Sequence, residues 1–162
     1  EGTFWRATIS VPELMATAGK YFRKVYKGNK AHIDFKIQPL EGRITGDWNQ
    51  LRFLLENLID EACSVTLDGA VCLSAREEGE LILFLFTAMR REKTRGELNQ
   101  LFYPDLSRMT AGEKGELYGT EYLVCKQIIR DHDEFAGRRG CRINAEPGKE
   151  GGFTIYFTLP KK

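Results

Sequence analysis

No run of apolar residues in this chain is long enough to cross a bilayer. The longest, "LILFLF" at Leu81–Phe86, has six residues, where a helical span needs about 20. No secretory signal peptide opens the sequence. Neither sign of charge dominates. Lys and Arg number 24 against 23 Asp and Glu, so no global field draws in nucleic acid or anionic lipid. Cysteine is sparse. Cys63, Cys72, Cys125 and Cys141 form no C-x-x-C pair, which removes metal-ligand spacing and a disulfide framework. Each sits beside apolar neighbours and is expected to act as a small core residue in a reducing, cytoplasmic setting. There is no internal repeat and no low-complexity stretch.

What is present is the composition of an ordinary globular protein. The 162 residues are 42% hydrophobic and 29% charged, enough for one domain with its own core. The abrupt opening, "TFWRATIS", already reads as a strand. A domain cut from a longer protein, 1–162 throughout, is the expected organisation.

Periodicity supplies the elements. "TFWRATI" (Thr3–Ile9) is aromatic and β-branched, a strand pattern. Pro12 suits the first turn of a helix in which Leu14, Ala18, Tyr21, Phe22 and Val25 recur on one face, until Gly28-Asn29 ends it. "AHIDFKIQP" sets Ile33, Phe35 and Ile37 against polar neighbours, a strand with one buried face. The short strand "GRIT" leads to Asp47, an N-cap for the helix Trp48 to about Val65. There Leu51, Leu54, Leu55, Leu58, Ile59 and Ala62 share a stripe.

Two strands, "GAVCLSARE" and "ELILFLFTAM", meet at the turn "EEGE". The second is apolar through its first half, as at the centre of a sheet. From Arg90 to Gly119 the pattern is polar and irregular, broken by "LNQLFYP" (Leu98–Pro104). Helical spacing returns at "EYLVCKQIIRDH", with Tyr122, Cys125 and Ile129 on one face. A hairpin closes the chain, "CRINAE" and "FTIYFTLP" joined by "PGKEGG". The expected class is α+β: a two-layer sandwich, a mixed sheet covered on one face by three helices.

Three stretches carry a family pattern. "ITGDWNQLRFLLENLIDEA" (Ile44–Ala62) resembles the strand, Gly-Asp turn and N-box helix of the histidine-kinase ATPase (Bergerat-type) domains, the family shared with gyrase, a heat-shock chaperone and MutL. "LNQLFYP" resembles its F box, and Tyr118–Pro160 resembles its second glycine box, helix and closing hairpin. They run in family order across nearly the whole chain.

The resemblance also says what the ligand-contacting residues should be, and here the sequence departs from it. Two asparagines one helical turn apart are expected on the N box, stacked over one spot where they hold magnesium and phosphate. Asn57 stands at the first position and Glu61 at the second. A carboxylate is a hard ligand for Mg²⁺ but repels a triphosphate when no metal intervenes. The lysine and aromatic residue expected just after the N box are Ser64 and Val65.

The first glycine box, Asp-x-Gly-x-Gly, is missing. Phe86 to Arg95 holds no aspartate and no glycine, and the adenine-binding carboxylate falls near Thr87 or Ala88. Of the second box, Gly-Leu-Gly-Leu in the family, only Gly119 survives in "GTEY", with Glu121 where phosphate is expected. Loss at three motifs together predicts a degenerate member to which no catalytic residue is assigned.

Asn57 then has two readings: a surviving metal or phosphate contact, or a helix asparagine bonded to backbone, which is preferred. Glu61 is read first as a solvated helix carboxylate and Lys114 as an exposed loop lysine. His32 and His132 read as structural or surface residues, since the family's phosphoacceptor lies on a separate upstream hairpin.

The expected function is a regulatory or interaction module, with no cofactor, docking on an upstream phosphoacceptor hairpin or a signalling partner. No nucleic acid and no direct membrane contact is expected. The alternative is a divergent but active kinase domain. In it Asn57 and Glu61 hold Mg²⁺, Gly119 and Lys114 contact the phosphates of ATP, and Thr87 replaces the adenine-binding aspartate. A third reading, an anion or nucleic-acid binder using arginines near 90–95 and 138–142, is disfavoured by the near-neutral charge.

Overall fold

The structure, a computed structural model, describes residues 3–26, 33–65, 69–90, 119–137, 139–147 and 153–162. "LNQLFYP", Lys114, His32, most of the arginine cluster near 90–95 and the Gly28-Asn29 helix end lie outside the described residues.

Among the described residues, seven strands and three α-helices follow in the order β1 (Ala7–Ser10), α1 (Val11–Tyr26), β2 (Ile33–Gln38), β3 (Arg43–Gly46), α2 (Trp48–Val65), β4 (Gly69–Glu78), β5 (Leu81–Arg90), α3 (Gly119–His132), β6 (Ile143–Pro147) and β7 (Phe153–Pro160). One π-helical turn, Asp133–Gly137, continues α3. The main sheet runs β2-β4-β5-β7-β6. β2 and β4 are parallel and every other pair is antiparallel, so the sheet is mixed as expected.

The first and third strands do not join it. They pair with each other, Ala7 opposite Gly46 and Ser10 opposite Arg43, as a two-stranded ribbon. A single bridge, Ile44 to Lys161, ties that ribbon to the end of β7. The strand expected from Thr3 starts only at Ala7, because β3 stops at Gly46 where α2 begins. Residues before Ala7 have no ladder partner and are held by side chains instead. The Trp5 N–H donates to Asp47 Oδ2 at 2.8 Å, and the Phe4 ring meets His132 edge-on at 4.8 Å.

The helices start where local chemistry says they should. Ser10 Oγ accepts the Glu13 N–H at 3.3 Å and Asp47 Oδ1 accepts the Gln50 N–H at 3.1 Å, two N-caps. The α2 stripe Leu51, Leu54, Leu55, Leu58, Ile59 and Ala62 is buried throughout. On α1, Leu14, Ala18 and Phe22 are buried but Val25 is 48% exposed, while Met15 is buried in its place. At 3.6 residues per turn Val25 still falls between Leu14 and Ala18, so its exposure goes with its place in the last turn of α1, one residue before the end at Tyr26, while Met15 lies next to Phe22 on the buried face.

Between the helices and the sheet sits one apolar cluster. It takes Ile82, Phe84, Phe86 and Ala88 from β5 and Ile155, Phe157 and Leu159 from β7. Phe84 and Phe157 stack at 5.1 Å with planes 8° apart. Burying a side chain of this size stabilises by roughly 2–3 kcal/mol. Alternation along the strands puts Leu83, Leu85 and Tyr156 on the opposite face, where they form a separate buried cluster. Among the described residues, no helix is long and apolar enough to cross a membrane.

Candidate functional site

The middle helix of the layer is α2, with α1 on one side and α3 on the other. Its α1 flank is marked by Asp60, whose carboxylate accepts the hydroxyls of Tyr21 (2.9 and 3.0 Å) and Tyr26 (2.7 Å). Asn57 and Glu61, one turn apart, lie round the helix from Asp60 on the side toward α3. Both are half-buried. The Asn57 amide donates from Nδ2 to the Phe53 carbonyl at 2.8 Å, the backbone bond that spacing alone allowed for. Its Oδ1 remains an acceptor. Phe53, a further turn back, is 46% exposed.

The end of β5 lies in the sheet beneath the helix layer, and register decides which side chain it offers there. Ala88 pairs with Val71 and Phe153, and its methyl belongs to the helix-facing core. Thr87 pairs with Cys72 and Thr154, so it follows Leu83 and Leu85 onto the face away from the helices. The two candidate positions for the adenine-binding group therefore lie on opposite sides of the sheet. Asn57, Glu61 and Ala88 share the helical side; Thr87 does not.

Gly119 is the first residue of α3, where backbone N–H groups lack intrahelical partners and favour an anion. The side chain of Glu121 and all of Lys114 lie outside what the structure describes. Among the described residues, no group of three or more His, Cys, Asp or Glu side chains is placed to hold a metal ion.

The other sequence candidates are structural. His132 is fully buried at the end of α3: Nδ1 faces the Ile128 carbonyl at 2.8 Å and Nε2 accepts the Asp47 N–H at 3.0 Å. Burial lowers its pKa, against the opposing pull of that carbonyl and of Asp47. Arg142 binds Glu78 through two contacts of 3.0 and 3.1 Å and reaches the Tyr156 hydroxyl at 3.4 Å. Arg139 donates to the backbone carbonyls of Glu80 and Lys161. Both are committed to holding the sheet edge rather than presented to a polyanion.

None of the four cysteines forms a disulfide. Burial, with Asp60 nearby, pushes the Cys63 thiol up to about 12. Burial takes Cys72 to about 11 against the opposing pull of Lys36. Cys141 rises to about 12 through burial and then Asp133. None of these three is an activated nucleophile. The sequence did not single out the Asp60–Tyr21–Tyr26 contact. Its signal is faint: Asp60 lies on the exposed face of α2, opposite the apolar stripe, and two tyrosines lie on α1.

Comparison with known proteins fits this geometry. No family model matches the chain. The adaptive-response sensory kinase SasA of Thermosynechococcus vestitus is 28% identical over 137 residues, covering 83% of this chain. The chain spans 34% of that kinase's length. Among solved structures, a nucleotide-free catalytic domain of the histidine kinase ThkA superposes with a TM-score of 0.64 at 19% identity, covering 99% of this chain and 98% of that one. ThkA in complex with the response regulator TrrA gives 0.64 at 18%, covering 98% and 42%. Full-length ShkA with AMPPNP gives 0.66 at 15%, covering 99% and 32%. The chain has the α+β fold of histidine-kinase ATPase domains.

Proposed function

We propose that this domain is a histidine-kinase-type ATPase fold that serves as a regulatory or protein-interaction module of a bacterial signalling protein, in the reducing cytoplasm, with nucleotide binding weak or lost. The observation that carries it is Ala88. On the helix-facing side of β5, where the resemblance calls for a carboxylate to accept from adenine, this methyl offers no acceptor. Thr87 is turned to the other face, so it offers no substitute. The described residues therefore do not fit an adenine base, and no phosphoryl-transfer step is derived through one. Exposed Phe53 on α2 and Leu123 and Val124 on α3 suit a partner protein better than a charged cofactor. ThkA has been solved with its response regulator, which supports a regulator or a phosphoacceptor hairpin as the kind of partner.

One observation favours a second reading. Asn57 and Glu61 share the α3 side of α2 and could hold Mg²⁺ through Oδ1 and the carboxylate, leaving a divergent active kinase domain. Calorimetric titration of ATP, ADP and a non-hydrolysable analogue, with and without Mg²⁺, separates the two. The module reading expects no saturable binding at millimolar nucleotide. Mg²⁺-dependent binding that disappears in Asn57→Ala and Glu61→Ala would overturn it.

A further inference from the structure

The face of the sheet turned away from the helices carries a cavity of about 280 Å³, lined by Gln38, Pro39 and Leu40 after β2, Ser74, Ala75 and Arg76 of β4, and Leu83 and Leu85 of β5. Its place in the fold follows from register. Gln38, Ser74 and Leu85 sit side by side across three strands, and Arg76 stands beside Leu83 one pair further on. Leu83 and Leu85 are almost wholly buried and supply an apolar floor.

Two polar groups stand at this floor without partners. Ser74 is only 6% exposed, yet its hydroxyl makes no hydrogen bond among the described residues. Ser74 lines the cavity and its oxygen is still reached by solvent there, so the hydroxyl can donate to an occupant. Arg76, two residues along the same face, is exposed and has no ion pair among the described residues. The nearest acid along that face of β4, Glu78, is taken by Arg142. Lys36 of β2 lies on the same face beside Cys72 and adds positive potential.

We propose that this cavity binds a small amphipathic monocarboxylate, its short apolar body against Leu40, Leu83 and Leu85 and its carboxylate between the Arg76 guanidinium and the Ser74 hydroxyl. The volume lies at the low end for ligand pockets, which limits the occupant to a short chain or a single ring. A cation beside a hydroxyl donor selects an anion, because carboxylate oxygens accept from both. The site lies on the face of the sheet opposite Ala88 and the helix layer that carries Asn57, so its occupancy does not depend on nucleotide.

Octanoate is the probe. Added to the ¹⁵N-labelled protein, it produces saturable amide shifts confined to residues 38–40, 74–76 and 83–85, while octylamine at the same concentration produces none. Arg76→Gln, at an exposed position that leaves the fold intact, weakens octanoate by about tenfold, and Ser74→Ala by about threefold. Absence of saturable shifts at millimolar octanoate overturns the proposal. So does binding that is unchanged in Arg76→Gln, or octylamine binding as well as octanoate.

Discussion

The backbone N–H of Asp47 donates to Nε2 of His132 at 3.0 Å, joining residues 85 apart in the chain. Asp47 also caps α2 through Oδ1 and holds the Trp5 N–H through Oδ2. One residue thereby ties the N-terminal segment, the start of α2 and the end of α3. Gly46 is part of the arrangement for a steric reason. A Cβ there would lie 2.9 Å from His132 Nε2 and 2.9 Å from Leu51 Cδ1, so the Gly-Asp turn reads as space for one histidine followed by a cap. Gly46→Ala is expected to cost about 1–3 kcal/mol, and His132→Ala about 3 kcal/mol, through the lost packing and an orphaned Asp47 N–H. Urea unfolding of both variants checks this.

The same contact sets a pH dependence. Nε2 accepts a hydrogen bond, so the folded ring is neutral, with its proton on Nδ1 toward Ile128. The folded pKa is lowered, chiefly by burial. The unfolded chain therefore binds the extra proton first, and stability is fully present above the unfolded value near 6.5. It falls as pH drops below that toward the folded pKa. Thermal melts between about pH 7 and 5 should show the midpoint falling, and His132→Gln should flatten that slope.

At high pH a second group acts with the opposite sign. Burial, and then the Asp60 carboxylate, push the Tyr21 hydroxyl up to about 12, and Tyr26 is raised for the same reasons. Unfolded tyrosine ionises near 10, so this stabilisation is present below 10 and is lost as pH rises through 12. Ultraviolet titration of the native protein should show two late-ionising tyrosines. Asp60→Asn should bring both down, with a stability loss of only about 1 kcal/mol for these exposed bonds.

The thiols offer a chemical check. Cys63, Cys72 and Cys141 are all held protonated at neutral pH by their surroundings. Native protein should react with a thiol reagent at least ~100-fold more slowly than unfolded protein, and denaturant should release four reactive thiols. Half-exposed Cys141 should react first.

Packing separates core from surface among the phenylalanines. Phe84 and Phe157 stack, fully buried, between β5 and β7, so Phe84→Ala should cost about 3–5 kcal/mol. Phe53 is 46% exposed, and Phe53→Ser should stay within about 0.5 kcal/mol. A loss of partner binding in Phe53→Ser without loss of stability would mark it as part of the interaction surface.

The sequence by itself determined the elements and their order. The α2 stripe, its Asp47 cap and the β4–β5 and β6–β7 pairs are written in local sequence, and a helix or strand needs only its own residues to show a 3.6 or 2 repeat. Tertiary structure alone decided the site. Thr87 and Ala88 are neighbours in sequence, yet period 2 places them on opposite faces, and a register slip of one residue would exchange them. Only the pairing of β5 with β4 and β7 fixes which one meets the helices. The same holds for His132 with Asp47 and for Asp60 with the two tyrosines. Each depends on a contact between distant segments, and no local pattern encodes the angle at which one helix lies beside another.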